Sequence, residues 1–256
     1  MNLLEAKNIT IKFGGLTAVQ DFNLTLQKGQ IVGLIGPNGA GKTTAFNAIT
    51  GIYKPTTGKV ILEGQDITGL LPDKITKLGI ARTFQNIRLF SNLSVLQNVL
   101  VGHHLRIKSS PLAATLRLPQ YTKEENEMIQ KTKELLKRVK LDDVQDEKAG
   151  SLPYGKQRRL EIARALATEP KILLLDEPAA GMNPQESKDL MEFIKQIRDD
   201  FGLTIFMIEH HMAVVMGICE HILVLDHGIT IAQGTPEQIQ NNPKVIEAYL
   251  GVETDA

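Results

Sequence analysis

A glycine-rich stretch, GPNGAGKTT at residues 36–44, offers the clearest chemistry in the sequence. It fits the pattern G-x-x-x-x-G-K-S/T, in which backbone N–H groups surround a chain of phosphates. Lys42 would face the β- and γ-phosphates, and the Thr43 hydroxyl would reach Mg²⁺. The alternative is a glycine turn that carries an exposed lysine. We predict a site for ATP and Mg²⁺ in which the nucleotide contacts Gly36, Pro37, Asn38, Gly39, Ala40, Gly41, Lys42, Thr43 and Thr44.

Two adjacent acids, Asp176 and Glu177, follow the apolar run KILLL at residues 171–175. A carboxylate at the end of a buried strand costs free energy unless it serves a cation or a water molecule. We predict that Asp176 holds Mg²⁺ through its water shell and that Glu177 polarises the attacking water as a general base. The alternative is that either acid caps a helix.

Short apolar runs predict the strands that position these groups. The runs are QIVGLIG at 30–36, GKVILEG at 58–64, KILLLDEP at 171–178 and LTIFMIEH at 203–210. Continuous apolar runs are typical of strands in a sheet that helices cover on both faces. In addition, HILVLDHGITIAQGT at 221–235 predicts a hairpin with its turn from Asp226 to Gly228, and KTTAFNAITG at 42–51 predicts a helix. The fold class is therefore α/β.

Residues 86–170 lack strand patterns. KEENEMIQKTKELLKRVKL at 123–141 predicts an amphipathic helix, and YGKQRRLEIARALATEP at 154–170 predicts a second helix. The apolar face of the first helix consists of Met128, Leu135, Leu136 and Val139. We therefore expect a helical insertion between two strands of the α/β core.

Composition narrows the class of protein. The chain has 256 residues, of which 29 are basic and 29 acidic, so its formal net charge is zero and gives no reason to expect nucleic acid. No apolar run approaches the roughly 20 residues that cross a bilayer, and MNLLEAKNIT at the start lacks the apolar core of a signal peptide. We expect a cytosolic protein whose single cysteine, Cys219, is a small core residue.

Together these motifs resemble the ATP-binding cassette of ABC transporters over nearly the whole chain. The most specific parts are SLPYGKQRRLEIARAL at 151–166 and LLLDEPAAGMNP at 173–184, which follow each other in a fixed order. The resemblance implies a P-loop NTPase fold with a RecA-like core, an antiparallel β subdomain and an inserted α-helical subdomain. We expect the ATP-binding core at residues 1–85 and 158–256, and the helical subdomain with the signature region at 86–157.

The resemblance also implies roles for individual residues. Phe13 would stack on the adenine and Val19 would pack beside it, although Phe13 taken alone would equally suit a core position. Gln85, in RTFQN, resembles the glutamine that reaches the metal ion and the attacking water. His210, in IEHHM, resembles the histidine that contacts the γ-phosphate, and AAGMN at 179–183 resembles the D-loop of the dimer interface. His211 receives no role, and surface or turn positions are expected for His103, His104, His221 and His227.

The signature region departs from the pattern of the family, which reads L-S-G-G-Q. The aligned residues are Leu152, Pro153, Tyr154, Gly155 and Lys156. The serine hydroxyl that would bond a γ-phosphate is missing, and Pro153 has no N–H group to replace it. Proline suits the first turn of a helix, and the charge of Lys156 would compensate in part. The signature is therefore expected to be weakened.

Four segments resemble the ATPase subunits of importers for branched-chain amino acids. They are residues 84–104, 151–155, 176–187 and 236–251. This resemblance implies a second ABC ATPase subunit as a heterodimer partner, with a homodimer as the alternative. It also implies two transmembrane permease subunits, an indirect extracytoplasmic substrate-binding protein, and a place on the cytoplasmic face of the membrane. Nucleic acid is not expected as a partner.

Other functions stay open at this point. An ATPase of a lipopolysaccharide exporter or of a urea or amide importer would share most of these motifs. A soluble ABC ATPase and a module that holds ATP without hydrolysis belong to different classes. Within residues 103–122, Arg106, Lys108 and Arg117 have no acidic neighbour, which fits an exposed loop or contact with lipid headgroups or a permease.

Overall fold

Two β-sheets organise the chain in the computed structural model, which describes residues 2–107, 109 and 119–250. The first sheet is antiparallel and has the strand order β2-β1-β4-β5. Its strands are β1 (Asn2–Phe13), β2 (Leu16–Gln27), β4 (Thr57–Leu62) and β5 (Gln65–Asp66). This sheet is the antiparallel β subdomain that the family resemblance implied, and β4 confirms the strand predicted at 58–64.

The second sheet has six strands in the order β10-β9-β3-β8-β7-β6. All of its neighbouring pairs are parallel except the β9–β10 hairpin, which the sequence predicted. The strands are β3 (Ile31–Ile35), β6 (Ile80–Arg82), β7 (Ile172–Asp176), β8 (Thr204–Ile208), β9 (His221–Asp226) and β10 (Ile229–Gly234). The predicted buried strands are confirmed, whereas β6 was missed because three residues are too few to show a pattern.

Nine helices complete the described part of the chain. They are α1 (Lys42–Ile49), α2 (Pro72–Leu78), α3 (Val95–His103), α4 (Pro119–Arg138), α5 (Tyr154–Leu166), α6 (Pro184–Phe201), α7 (Met212–Ile218), α8 (Pro236–Gln240) and α9 (Pro243–Leu250). Three 3-10 turns occupy His104–Arg106, Asp142–Val144 and Ala149–Ser151. None of the described helices is both long and apolar enough to span a membrane.

The central strands of the second sheet are buried on both faces. Along β7, Leu173 and Leu175 belong to one apolar cluster, and Ile172 and Leu174 belong to another. Successive side chains of a strand point to opposite faces, which explains the continuous apolar runs. The first cluster joins the sheet to α3–α9, and the second joins it to α1 and the antiparallel sheet.

The helical insertion differs in its bounds from the prediction. α4 begins at 119 rather than 123 and ends at 138 rather than 141. All four predicted apolar positions are buried, although Val139 lies just beyond the end of the helix. α5 begins at 154 as predicted but ends at 166 rather than 170, because Glu169 has a φ of 53° and precedes a proline. The expected domain boundary between 157 and 158 falls within α5, which continues unbroken from 154 to 166.

The single cysteine provides a chemical test of the core. Cys219 is 5% exposed, and burial raises the pKa of its thiol to about 12, with the charges of Glu209 and Glu220 adding to the shift. Because the thiolate is the reactive form, we expect the native protein at pH 8 to react with a disulfide reagent about 10³-fold more slowly than the unfolded chain. Colorimetric thiol titration with and without guanidinium measures this. Rapid reaction of the native protein would contradict the burial of Cys219.

Candidate functional site

The carboxyl ends of the parallel strands bring the predicted site residues to one edge of the second sheet. β3 leads into the glycine stretch, β6 leads towards Gln85, and β7 ends at Asp176. β8 is followed by Glu209 and His210. Ligands of α/β sheets commonly bind at this edge, because the loops that follow parallel strands converge there.

Two glycines of the loop are required by the backbone of the chain itself. At Gly36, where φ is 152°, a Cβ atom would lie 2.0 Å from the carbonyl oxygen of Leu225. At Gly41, where φ is 95°, it would lie 2.6 Å from the carbonyl oxygen of Ala18. Gly39 has no such neighbour within 4 Å among the described residues. Packing against β9 and β2 therefore explains Gly36 and Gly41, in addition to the space that phosphate requires.

Lys42 begins α1, and its side chain is almost buried. Its Nζ atom donates to the carbonyl oxygens of Gly36 and Pro37 at 2.8 and 2.9 Å. Burial lowers the pKa of Lys42, whereas the negative charges of Glu177 and Asp176 act in the opposite direction. The first turn of α1 also has N–H groups without intrahelical acceptors, so this position suits an anion.

Residues 38–44 of the glycine stretch, together with Gln85 and Glu177, line one open cavity of about 560 Å³, whereas Gly36 and Pro37 lie outside its lining. Val19 is fully buried and lies outside this lining, so its place beside the base stays a prediction. Side chains of β2 alternate between faces, and Ala18 is the neighbour that lines the cavity. The full lining is Leu16, Thr17, Ala18, Asn38, Gly39, Ala40, Gly41, Lys42, Thr43, Thr44, Gln85, Glu177 and His227.

Phe13 ends β1 and also lies outside this lining. Its side chain is 45% exposed, which rules out the core alternative. The ring packs edge to face against Tyr53, with 5.1 Å between the ring centroids. Phe13 therefore keeps an accessible face on which a planar group can stack.

The three predicted catalytic side chains meet at one carboxylate oxygen. Gln85 Nε2 donates to Glu177 Oε2 at 2.7 Å, and His210 Nδ1 lies 3.5 Å from the same oxygen. Glu177 has a left-handed backbone with φ of 46°, a conformation that is strained for a residue with a side chain. Its N–H group donates to Ile208 O at 2.9 Å, which holds this conformation.

Asp176 lies outside the lining of the cavity and forms a buried ion pair. Arg82 Nη2 donates to Asp176 Oδ2 at 2.6 Å, and both side chains are 7% exposed. Arg82 Nη1 also donates to Asn47 Oδ1 on α1 at 2.6 Å. The pair therefore joins the end of β7 to the helix that follows the glycine stretch. The Oδ1 atom of Asp176 is not used by this pair.

A family model described as ABC transporter matches residues 19–180. The chain belongs to the ABC transporter family. A second model, described as branched-chain amino acid ATP-binding cassette transporter, matches residues 230–255 at the end of the cassette, which include α8 and α9.

Two named relatives resemble the cassette over almost its whole length. One is the high-affinity branched-chain amino acid transport ATP-binding protein BraF of Pseudomonas aeruginosa, and the other is the protein LivG of Escherichia coli, which has the same description. Each is 47% identical over 249 residues, which cover 97% of this chain and 98% of the relative.

Solved structures of other cassettes share the fold. The ADP conformation of an ATP-binding cassette of an ABC transporter has a TM-score of 0.86 at 36% identity, covering 98% of this chain and 99% of that chain. A dimeric cassette in a post-hydrolysis state, bound to ADP and Pi, has a TM-score of 0.73 at 28% identity, covering 91% and 98%.

The signature of this cassette lies at the start of α5. Pro153 precedes the helix and Tyr154 begins it. Lys156 Nζ donates to Asp143 Oδ2 at 2.7 Å, and this hydrogen bond lowers the pKa of Asp143. The positive charge that was expected to compensate for the missing serine is thus paired within the same chain.

Glu209 is a site residue that the sequence interpretation missed. Its side chain is fully buried, and its Oε1 atom accepts from Ala179 N at 2.8 Å. Its Oε2 atom accepts from His210 N and His211 N at 3.1 and 3.2 Å. Glu209 therefore joins the segment after Glu177 to the segment with His210. In the sequence, Glu209 is only an acid that follows an apolar run. Its contacts cannot be predicted until the pairing of β7 with β8 is known.

The basic residues of 103–122 are only partly described. Arg106 donates to the carbonyl oxygens of Thr168 and Glu169, at 2.9 to 3.4 Å, and of Lys77 at 3.3 Å. These bonds fix its side chain on the surface of the core. Lys108 and Arg117 lie outside the described residues.

Replacing Arg82 tests its pairing with Asp176. Arg82→Ala leaves the carboxylate buried without its cation, and breaking a buried pair in this way costs about 3–5 kcal/mol. The matched control is Lys131→Ala, which breaks an exposed pair with Glu169 and should cost at most about 1 kcal/mol. Equilibrium unfolding in urea measures both free energies of unfolding. Equal losses would show that Asp176 does not depend on Arg82.

Proposed function

We propose that this cassette is the ATP-binding and ATP-hydrolysing subunit that energises a membrane importer of branched-chain amino acids. The meeting of Gln85, Glu177 and His210 beside the phosphate loop carries the proposal for hydrolysis. The names of two relatives that are 47% identical over 97% of the chain support the transported substrate. No observation on the described residues favours a lipopolysaccharide exporter, a urea or amide importer or a soluble ATPase.

ATP would bind along the glycine stretch. The N–H groups of residues 38–44 and the ammonium of Lys42 would hold the phosphates, with Lys42 exchanging its carbonyl acceptors for phosphate oxygens. Phe13 would stack on the adenine through its exposed face. Thr43, Gln85 and Asp176 would hold Mg²⁺, which neutralises phosphate charge when bound, and Asp176 would use its Oδ1 atom through water.

Hydrolysis breaks the bond between the β- and γ-phosphates by attack of water on the γ-phosphorus. Glu177 would accept a proton from that water as general base. Gln85 would orient both the water and the Glu177 carboxylate, since it already donates to that carboxylate. His210, whose Nδ1 atom lies 3.5 Å from the same carboxylate oxygen, would contact the γ-phosphate.

The assembly follows from the same proposal. A cassette with a TM-score of 0.73 to this chain is dimeric with ADP and Pi. We infer a dimer with a second ABC ATPase subunit, bound to two permeases on the cytoplasmic face of the membrane and served by an extracytoplasmic binding protein. Co-purification separates the classes, because a transporter subunit retains permeases whereas a soluble ATPase retains nucleic acid or no partner.

Two substitutions separate binding from chemistry. Glu177→Gln should keep ATP affinity and lower turnover by about 10²-fold or more, since it removes only the base. Lys42→Ala should weaken ATP binding itself, since it deletes the charge that faces the phosphates. Phosphate release and equilibrium binding of a fluorescent ATP analogue measure the two effects. A Glu177→Gln enzyme within a few-fold of the unsubstituted rate would remove Glu177 from this role.

The weakened signature predicts unequal sites in the dimer. Each ATP would lie between the phosphate loop of one subunit and the signature of the other. The missing serine bond is worth about 1.5–3 kcal/mol, or about 10- to 150-fold in rate. The site built on Lys42 and Glu177 would therefore perform most of the hydrolysis, opposite an intact signature of the partner.

Inactivating one catalytic glutamate at a time tests this asymmetry in the reconstituted heterodimer. Glu177→Gln should abolish nearly all ATPase activity, whereas the same change in the partner should leave most of it. Equal losses, or a fully active homodimer of this chain, would show instead that Leu152–Lys156 is a working signature.

A further inference from the structure

A buried ion pair on α5 has no part in the chemistry described so far. Arg158 and Glu161 are one turn apart, their side chains are 0% and 2% exposed, and Arg158 Nη1 donates to Glu161 Oε2 at 2.8 Å. Burying two charges is costly even when they pair, so their role lies in what else they contact.

The pair holds the segment that carries Gln85. Arg158 donates to Phe84 O at 2.8 Å and to Gln85 O at 2.9 Å. Glu161 Oε1 accepts from the N–H groups of Arg88 at 3.2 Å and Phe84 at 3.4 Å. The backbone that positions the Gln85 side chain against Glu177 is therefore fixed to α5.

Tyr154 connects this pair to the signature and to the segment after Glu177. Its hydroxyl donates to Ala180 O at 2.8 Å and accepts from Arg158 Nη2 at 3.2 Å. Ala180 N donates to Glu177 O at 3.1 Å. Hydrogen bonds thus lead from Tyr154 to Glu177 by two routes, one through Ala180 and the other through Arg158 and Gln85.

We propose that Tyr154 and Arg158 are positioning residues that couple the two nucleotide sites of the dimer. This rests on the proposed function, in which Leu152–Lys156 faces the nucleotide held by the phosphate loop of the partner. A nucleotide against the start of α5 fixes Tyr154, and the two routes convey that restraint to Gln85 and Glu177.

The coupling would explain why the signature of this chain differs from the family pattern. Tyr154 stands where the L-S-G-G-Q pattern has its first glycine, which offers no hydroxyl. The side chain is 41% exposed, so it is accessible from the surface at the start of α5. A signature that has lost a phosphate contact gains a connection to the hydrolytic site of its own chain.

The test is a cycle of substitutions in the heterodimer, with ATP as the ligand. All forms carry the partner's catalytic glutamate changed to glutamine, so that turnover reports the Glu177 site alone. Changing the partner's phosphate-loop lysine to alanine then empties the other site. If the two sites are coupled, this change should lower turnover about 5- to 150-fold. The ratio of turnover before this change to turnover after it measures the coupling. Tyr154→Phe removes two hydrogen bonds, each a factor of about 2 to 12, so this ratio should fall about 5-fold or more.

The affinity of the Lys42 site for ATP should stay unchanged in Tyr154→Phe, because the substitution acts on positioning and not on binding. Arg158→Lys keeps a cation beside Glu161 but cannot make all four bonds, so it should lower the ratio as well. Tyr121→Phe makes the same chemical change on α4 and should leave the ratio intact.

The outcomes separate the two proposals. A ratio that Tyr154→Phe leaves unchanged, or a ratio near one in the form that keeps both Tyr154 and Arg158, overturns the coupling while hydrolysis stands. If the heterodimer without any substitution hydrolyses no ATP, the proposed function is overturned, and the coupling with it.

Discussion

The phosphate loop is held by direct backbone contact with two other segments, and the whole site depends on that contact. Gly36 and Gly41 pack against carbonyl oxygens of β9 and of β2 so closely that a side chain at either position would force the backbone to move. The N–H group of Gly228, in the β9–β10 turn, donates to Ala40 O at 3.0 Å. The antiparallel sheet and the parallel sheet therefore meet at the loop, and the start of α1 is fixed by the fold itself.

Buried charges then connect this fixed loop to the groups around it. Arg82 joins Asp176 to α1, Glu209 joins the segment after Glu177 to His210, and Arg158 with Glu161 joins Gln85 to α5. Each of these charged groups would be costly to bury without its partners. The partners lie on a different segment, so each group favours the one arrangement in which the two segments meet. The cluster at Glu177 is the place where these restraints converge.

In the proposed dimer, this arrangement would connect the nucleotide that faces the start of α5 to the Glu177 site. The strained backbone of Glu177 lies between Ala180, which Tyr154 contacts, and the side chain of Gln85, which α5 positions. The proposed general base is therefore held from two sides, through its backbone and through its carboxylate. The start of α5 thus lacks the signature serine and carries the Tyr154 hydroxyl, which contacts Ala180.

The sequence by itself was enough to predict the fold class and the strands with continuous apolar runs. It was also enough to select the loop from Gly36 to Thr44 and the acids Asp176 and Glu177 as candidate site residues. These features are local, because spacing and residue type set them within a few positions of each other. The tertiary structure alone decided that Val19 is buried while Ala18 lines the cavity, that Asp176 pairs with Arg82, and that Tyr154 reaches Ala180. Each of these depends on strand register or on packing between segments that lie far apart in the chain, and a local pattern carries no record of either.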